Sequence, residues 1–250
     1  MPDNEPDLLG HVPGAPRICR IWDCETSGMP ENPDAEVIEL GRIDLDMQTL
    51  EVVNPWRGFI RPHRPIPPET MAVHHITLAE IEAEGPTDEP WRHLWHGCGP
   101  DDVVVAHNMA FEKHFHNGNG RRWICTYKCA RAVWPDAPSH SNQALRYWLG
   151  IDEQEAFDPA RAMPPHRALP DAYVTAFLLR ELLRVKSIDE LVHISMFPAL
   201  LSKLTFGKHK GMTYAEAPAD YLEWIRDKSD MDEDTKFSAK YWLAKRRSAA

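Results

Sequence analysis

The distribution of apolar and polar positions predicts five strands. Residues 17–24 (R-I-C-R-I-W-D-C), 36–45 (E-V-I-E-L-G-R-I-D-L) and 49–60 (T-L-E-V-V-N-P-W-R-G-F-I) read as three strands. Their short connections suggest an antiparallel meander, and Pro55 marks an edge or a bend in the third. D-D-V-V-V-A-H (101–107) is a continuous apolar run, as in a strand covered on both faces. W-I-C-T (123–126) reads as the last strand.

Between and after the strands the pattern turns helical. R-P-H-R-P-I-P-P-E-T (61–70) reads as a stiff connector. Thr77 and Glu80 form a capping box for T-L-A-E-I-E-A-E. Further helices are predicted around 90–95, from Asn108, over 127–134, and over 141–150 with Gly150 as terminator. A long helix is predicted over 171–183, with Pro170 at its first position, where a missing N–H costs nothing. Residues 1–16 read as a frayed leader and 17–185 as the main domain. Residues 186–203 read as a linker carrying one more helix, and 204–250 as a small unit with helices near 218–227 and 232–247.

Composition narrows the class. The 250 residues are 43% hydrophobic and 26% charged, as in a soluble globular protein. No run reaches the roughly 18 apolar residues of a membrane span. The acidic, Pro-rich start lacks a signal-peptide pattern, so a cytoplasmic location is expected. Five cysteines at irregular spacing suggest free thiols without disulfide partners. Cys125 and Cys129 lack the two further ligands of a recognisable zinc site.

Net charge is −10, which argues against coating nucleic acid by bulk electrostatics. From residue 201 onward ten Lys/Arg meet eight Asp/Glu, so a net of −12 falls on the first 200 residues. Acids clustered without paired bases are costly unless a cation lies among them.

Three short stretches concentrate the candidate chemistry. In I-W-D-C-E-T-S-G (21–28), Asp23 and Glu25 close a strand and project from the same face. Cys24 then points the other way, into the core. In V-V-V-A-H-N-M-A-F-E (103–112), Asn108 and Glu112 are spaced to share a helix face. In H-R-A-L-P-D (166–171), Asp171 sits in a helix's first turn and His166 on the loop before it. Each stretch alone also fits ordinary solvated acids or a satisfied loop histidine. Together, four acids on three elements plus one histidine suit two divalent ions with oxygen ligands and a base. Such a pair activates water in phosphodiester hydrolysis.

The order D-x-E-T, A-H-N-x-x-F-acid, H-x-x-x-x-D resembles the DEDDh group of 3′→5′ exonucleases, relatives of polymerase proofreading subunits. M-A-V-H-H-I-T (71–77), W-I-C-T-Y-K-C-A-R-A-V-W-P (123–135), S-N-Q-A-L (141–145), H-R-A-L-P-D-A-Y (166–173), F-G-K-H-K-G (206–211) and D-Y-L-E-W-I (220–225) are similar to the exodeoxyribonuclease X branch. The resemblance spans roughly residues 17 to 245. It implies an α/β, RNase H-like fold, with a central mixed five-stranded sheet flanked by helices and a small, mainly helical C-terminal unit. It also implies that Asp23, Glu25, Glu112 and Asp171 hold two Mg²⁺ (or Mn²⁺), with Asp23 bridging. His166 would take a proton from the attacking water. Thr26, Ser27 and Gly28 would meet the terminal nucleotide, and His74, Asn108 and Asn142 would help position the 3′ end. The implied substrate is a DNA 3′ end, single-stranded or duplex, and the implied pathway is DNA repair. Glu112 departs from the group's usual aspartate at that position.

An exoribonuclease of the same fold fits the same motifs, and a catalytically silent nucleic-acid-binding protein is the third reading. In F-G-K-H-K-G, Lys208 and Lys210 are candidates for phosphate contact. The aromatics downstream read as the small unit's own core.

Overall fold

The computed structural model describes residues 14–248; most of the expected leader, residues 1–13, lies outside them. Five strands form one sheet, β1 (Ile18–Thr26), β2 (Val37–Asp46), β3 (Val52–Phe59), β4 (Val103–Ala106) and β5 (Trp123–Cys125), in the order β3-β2-β1-β4-β5. The first three pair antiparallel, as the meander pattern predicts. β4 and β5 join β1 in parallel, which makes the sheet mixed. Strand β1 is therefore central and buried on both faces.

Alternation along β1 divides two cores. Cys19 and Ile21 face a large apolar cluster that includes Tyr173, Val174, Phe177 and Leu178. Trp22 and Cys24 face a second cluster on the opposite side, with Leu94 and Trp123. Asp23 and Glu25 share the face of Cys19 and Ile21, so they lie at the end of the first core.

The long helix α7 (Ala168–Leu183) packs on that face. Its buried positions run nearly all the way round, as in a core helix. It begins at Ala168, two residues earlier than a first-position Pro170 suggests, so Pro170 is its third residue. First-turn N–H groups have no intrahelical partner, so proline is tolerated there too. The first i→i−4 bond runs from Asp171 N to Arg167 O, at 3.0 Å.

The β3–β4 connection carries α1 (Pro68–His74), α2 (Leu78–Glu84) and α3 (Pro90–Trp95). Helix α1 arises where the sequence reads only as a connector and its sequel, with proline at its start, where it is compatible with a helix. The Thr77 box is half-formed: Thr77 accepts from Glu80 N, but Glu80 pairs with Arg167 instead of reaching back. A complete box instead opens α8 (Ile188–Ser195), at Ser187 and Glu190. Between β4 and α7 lie α4 (Met109–Phe115), α5 (Thr126–Val133) and α6 (Asn142–Trp148). Leu191 of α8 belongs to the main core, and Ser195 Oγ accepts from Cys125 N at 2.8 Å.

Beyond it, Leu204, Tyr214, Leu222, Ile225, Ala239 and Leu243 form a separate small core, with α9 (Ala219–Lys228) and α10 (Glu233–Ser248). Tyr221 and Trp242 pack against that core. Trp224 and Tyr241 remain exposed, so not every aromatic there is core. No helix among the described residues is long and apolar enough to cross a membrane. All five cysteines are buried free thiols.

Candidate active site

Three carboxylates meet at the end of β1. Ligand atoms of Asp23, Glu25 and Asp171 all lie within 4.8 Å of one another. Two come from one strand face and the third from the first turn of α7. The register of β1 against β2 shifts between Glu25 and Thr26. Such an irregularity ends regular pairing and re-aims the chain beside the acids.

The residues after the shift are pinned. Thr26 Oγ1 donates to Gly28 O at 2.7 Å. Ser27 N donates to Glu36 O at 2.8 Å, and Ser27 Oγ accepts from Glu36 N at 2.9 Å. The Thr26–Gly28 turn is thus held as one unit, with Thr26 and Ser27 buried.

Glu112 does not join the set of three. It sits buried on α4, and its Oε2 has no hydrogen-bond partner. It still acts on the site: after burial, Glu112 is the largest influence pushing Asp23 well above the usual carboxylate range, followed by Glu25 and Asp171. Burial, then Asp171 and Glu39, push Glu25 up to about 8. Burial alone pushes Glu112 up to about 8. Asp171 is also raised by burial, against hydrogen bonds from Gln143 and the His166 N–H. Among the described residues, no ion pair neutralises any of the four. Crowded, desolvated carboxylates with one orphaned oxygen fit hard divalent cations, which take oxygen ligands.

His166 is exposed on the turn entering α7, and its N–H donates to Asp171 Oδ2 at 2.8 Å. Its φ of 58° is a left-handed conformation that a non-glycine residue adopts only when its surroundings impose it. Asp171 holds the His166 N–H, and Glu39 anchors the two residues that follow. Fully buried on β2 opposite Glu25, it accepts from Arg167 Nη2 at 2.9 Å, Ala168 N at 2.9 Å and Arg57 Nη1 at 3.1 Å. Glu39 belongs to none of the three acidic motifs, although an acid between Ile38 and Leu40 inside a buried strand is a readable signal.

The expected substrate residues are placed unequally. His74 is buried at the end of α1; its Nδ1 accepts from Ile76 N at 2.9 Å, which puts the proton on Nε2, an atom with no partner. Asn108 is exposed at the N-cap position of α4, outside the helix at φ −115° and ψ 75°, and its side chain makes no cap bond. It therefore does not share a helix face with Glu112, because α4 starts one residue later. Asn142 ties α6 to α7: its Nδ2 donates to Thr175 Oγ1 at 2.7 Å and to Asp171 O at 3.2 Å. Its neighbour Gln143, also unremarked in the sequence, donates to Asp171 Oδ1 at 3.0 Å. His107 is turned inward. It bonds Thr126 Oγ1 and His140 O, and burial pushes it down to about 4.

Comparison with known proteins identifies the family. The exonuclease family model matches residues 21–179. Exodeoxyribonuclease 10 of Escherichia coli K12 is 32% identical over 238 residues, covering 90% of this chain and 99% of that protein. A solved structure of exonuclease X in complex with 5′ overhanging duplex DNA superposes with a TM-score of 0.58 at 32% identity, over 71% of this chain and 99% of that one. The nuclease domain of 3′hExo, a DEDDh family member bound to rAMP, gives 0.53 at 18% identity over 69% and 94%, a likeness of fold.

Proposed function

The chain belongs to the exonuclease family, and from that premise we propose that it is a DEDDh-type, metal-dependent 3′→5′ exodeoxyribonuclease releasing nucleoside 5′-monophosphates. The observation that carries the proposal is the convergence of Asp23, Glu25 and Asp171 within 4.8 Å, without an ion pair among the described residues, beside His166. DNA is favoured as substrate by the exodeoxyribonuclease matching nearly the whole chain, and by the DNA-bound relative at the same identity.

Asp23, Glu25 and Asp171 would hold two Mg²⁺ or Mn²⁺, with Asp23 central and Glu112 as fourth acid through its orphaned oxygen. When bound, the cations supply an activated water and neutralise charge on the scissile phosphate. His166 accepts the proton of the attacking water, and its backbone bond to Asp171 keeps it next to the acids. The pinned Thr26–Gly28 turn, the His74 Nε2–H and Asn108 receive the 3′-terminal nucleotide. The desolvated acids repel one another while metal-free, so the site binds cations in preference to protons only where the acids can ionise.

The test uses 5′-labelled DNA and RNA strands of one sequence with Mg²⁺, for the intact chain and Asp171→Asn. A ladder shortening from the 3′ end of DNA, lost with EDTA and in the variant, is expected. Faster digestion of RNA would make the protein an exoribonuclease, and no digestion of either strand would leave a silent binding protein.

A further inference from the structure

The carboxylate of Asp171 is the end of a hydrogen-bonded chain that runs away from the cleft. Gln143 Nε2 donates to Asp171 Oδ1 at 3.0 Å. Gln143 Oε1 accepts from Arg146 Nη1 at 3.0 Å. Arg146 donates from Nε to Asp152 Oδ1 at 2.5 Å and from Nη2 to Asp152 Oδ2 at 3.3 Å. Gln143 and Arg146 lie three apart on α6, so they share a face. Asp152 lies in the short turn Ile151–Glu153 that follows.

The direction of this chain is fixed by chemistry. A glutamine amide can present either its oxygen or its NH₂ to a neighbour. A guanidinium only donates, so Arg146 can satisfy only the oxygen. The NH₂ must then face Asp171, as a donor to a carboxylate. Arg146 is itself immobile: it is 2% exposed and lies 5.1 Å from the Phe157 ring and 4.9 Å from the Tyr147 ring. Asp152, on the other side, holds it in a bidentate grip.

Asp171 is thereby gripped on both oxygens, by Gln143 on Oδ1 and by the His166 N–H on Oδ2. Each oxygen keeps a further lone pair for a cation. Asn142, one residue before Gln143, holds the Asp171 carbonyl and the next turn of α7. Adjacent residues of α6 thus hold the main chain and the side chain of the same aspartate. Among the described residues no side-chain or backbone donor grips Asp23 or Glu25 in this way, so Asp171 is the orientationally fixed member of the three.

The geometry points to Gln143 as a positioning residue, oriented by the Arg146–Asp152 pair, that sets the rotamer of Asp171 and so the metal affinity of the site. The inference rests on the reading of Asp171 as a metal ligand. Groups that hold a ligand from behind contribute about 10- to 100-fold to metal affinity when removed.

The experiment is Mn²⁺ titration by calorimetry on the full chain, with metal-free thermal melts as the control for folding. Gln143→Met keeps the volume and removes the donor. It should leave the metal-free melting temperature close to that of the intact chain and weaken Mn²⁺ binding by about 10-fold. Nuclease kcat should recover at saturating Mn²⁺, with KM for the oligonucleotide unchanged. The Arg146→Met/Asp152→Asn double variant frees the amide to turn over without touching Asp171. It should weaken Mn²⁺ binding in the same direction, and adding Gln143→Met to it should have little further effect, because members of one chain are not additive. Unaltered Mn²⁺ affinity in Gln143→Met overturns the inference, as does full additivity of the two changes. Asp171→Asn separates the two levels. If it loses Mn²⁺ while Gln143→Met does not, only the positioning role fails. If Asp171→Asn binds Mn²⁺ like the intact chain, the metal-ligand reading fails and the positioning role falls with it.

Discussion

A Cβ at Gly41 would lie 2.2 Å from the backbone nitrogen of Leu169 and 2.3 Å from the Ala168 carbonyl carbon. Gly41 is also the cross-strand partner of Asp23. The missing side chain on β2 is therefore what lets the start of α7 settle on the sheet beside Asp23, with Asp171 in its first turn. Both contacts are backbone atoms, which cannot turn aside as a side chain can. Gly41→Ala should push the helix start outward, at a cost of about 1–3 kcal/mol. Activity should fall further than the loss of folded protein explains, because the carboxylates separate. Thermal melts and nuclease assays on the same samples check both parts.

Glu39 is a buried carboxylate shared between Arg57, Arg167 and the Ala168 N–H. Glu39→Gln keeps the shape and removes the charge. Arg57 retains Glu84 and Arg167 retains Glu80, so the arginines are not left without counter-charges. The stability cost should be about 1–3 kcal/mol, typical of a buried group that loses its charged partner. The larger effect should be on kcat, because the left-handed turn at His166 loses its anchor. A denaturant melt and steady-state kinetics on a short oligonucleotide separate the two effects.

Much of this arrangement is legible in the sequence, and the parts that are not have physical reasons. Strands β1 to β5 follow from apolar runs, and the i, i+2 spacing of Asp23 and Glu25 already places them on one face. The motif at 166–171 places Asp171 at a helix start, though Pro170 misdates that start because proline is tolerated anywhere in the first turn. Gly41 reads as an ordinary strand glycine, since its role depends on a helix more than 120 residues away. Gln143 carries no signal of its own, because its meaning comes from Arg146 and Asp171 together. Glu39 was readable as a charge in a buried strand, but its partners Arg57 and Arg167 are set only by the β2–β3 register and by α7.

His166 tests the proposed base directly. His166→Ala should lower kcat by roughly 100- to 10,000-fold, the range for removal of a positioned proton acceptor. The stability of the chain should barely change, because the bond to Asp171 comes from the backbone N–H and the imidazole is exposed. KM should move little. A single-turnover assay with the variant, followed by Mn²⁺ titration, should show intact metal binding with slow chemistry.

The acid cluster makes stability depend on pH and metal in opposite directions. Glu25 and Glu112 are each raised from about 4.5 to about 8, and Asp23 and Asp171 are raised too. The folded, metal-free chain therefore binds more protons than the unfolded chain between these values. Stability must fall as pH rises through that window. It is fully present below about pH 4.5, where both states are protonated, and is lost as pH climbs toward about 8. A divalent cation needs the ionised acids, so it should restore most of the loss at pH 8 and little at pH 5. Glu112→Gln removes one of the charges that accumulate in this window. Its metal-free melting temperature at pH 8 should exceed that of the intact chain, while its nuclease activity falls. Melts of both chains at pH 5 and pH 8, with EDTA and with Mg²⁺, check the stability expectations, and a nuclease assay of Glu112→Gln checks the last. A metal-free chain that grows more stable from pH 5 to pH 8 would mean that the acids are already ionised and neutralised by something other than a cation.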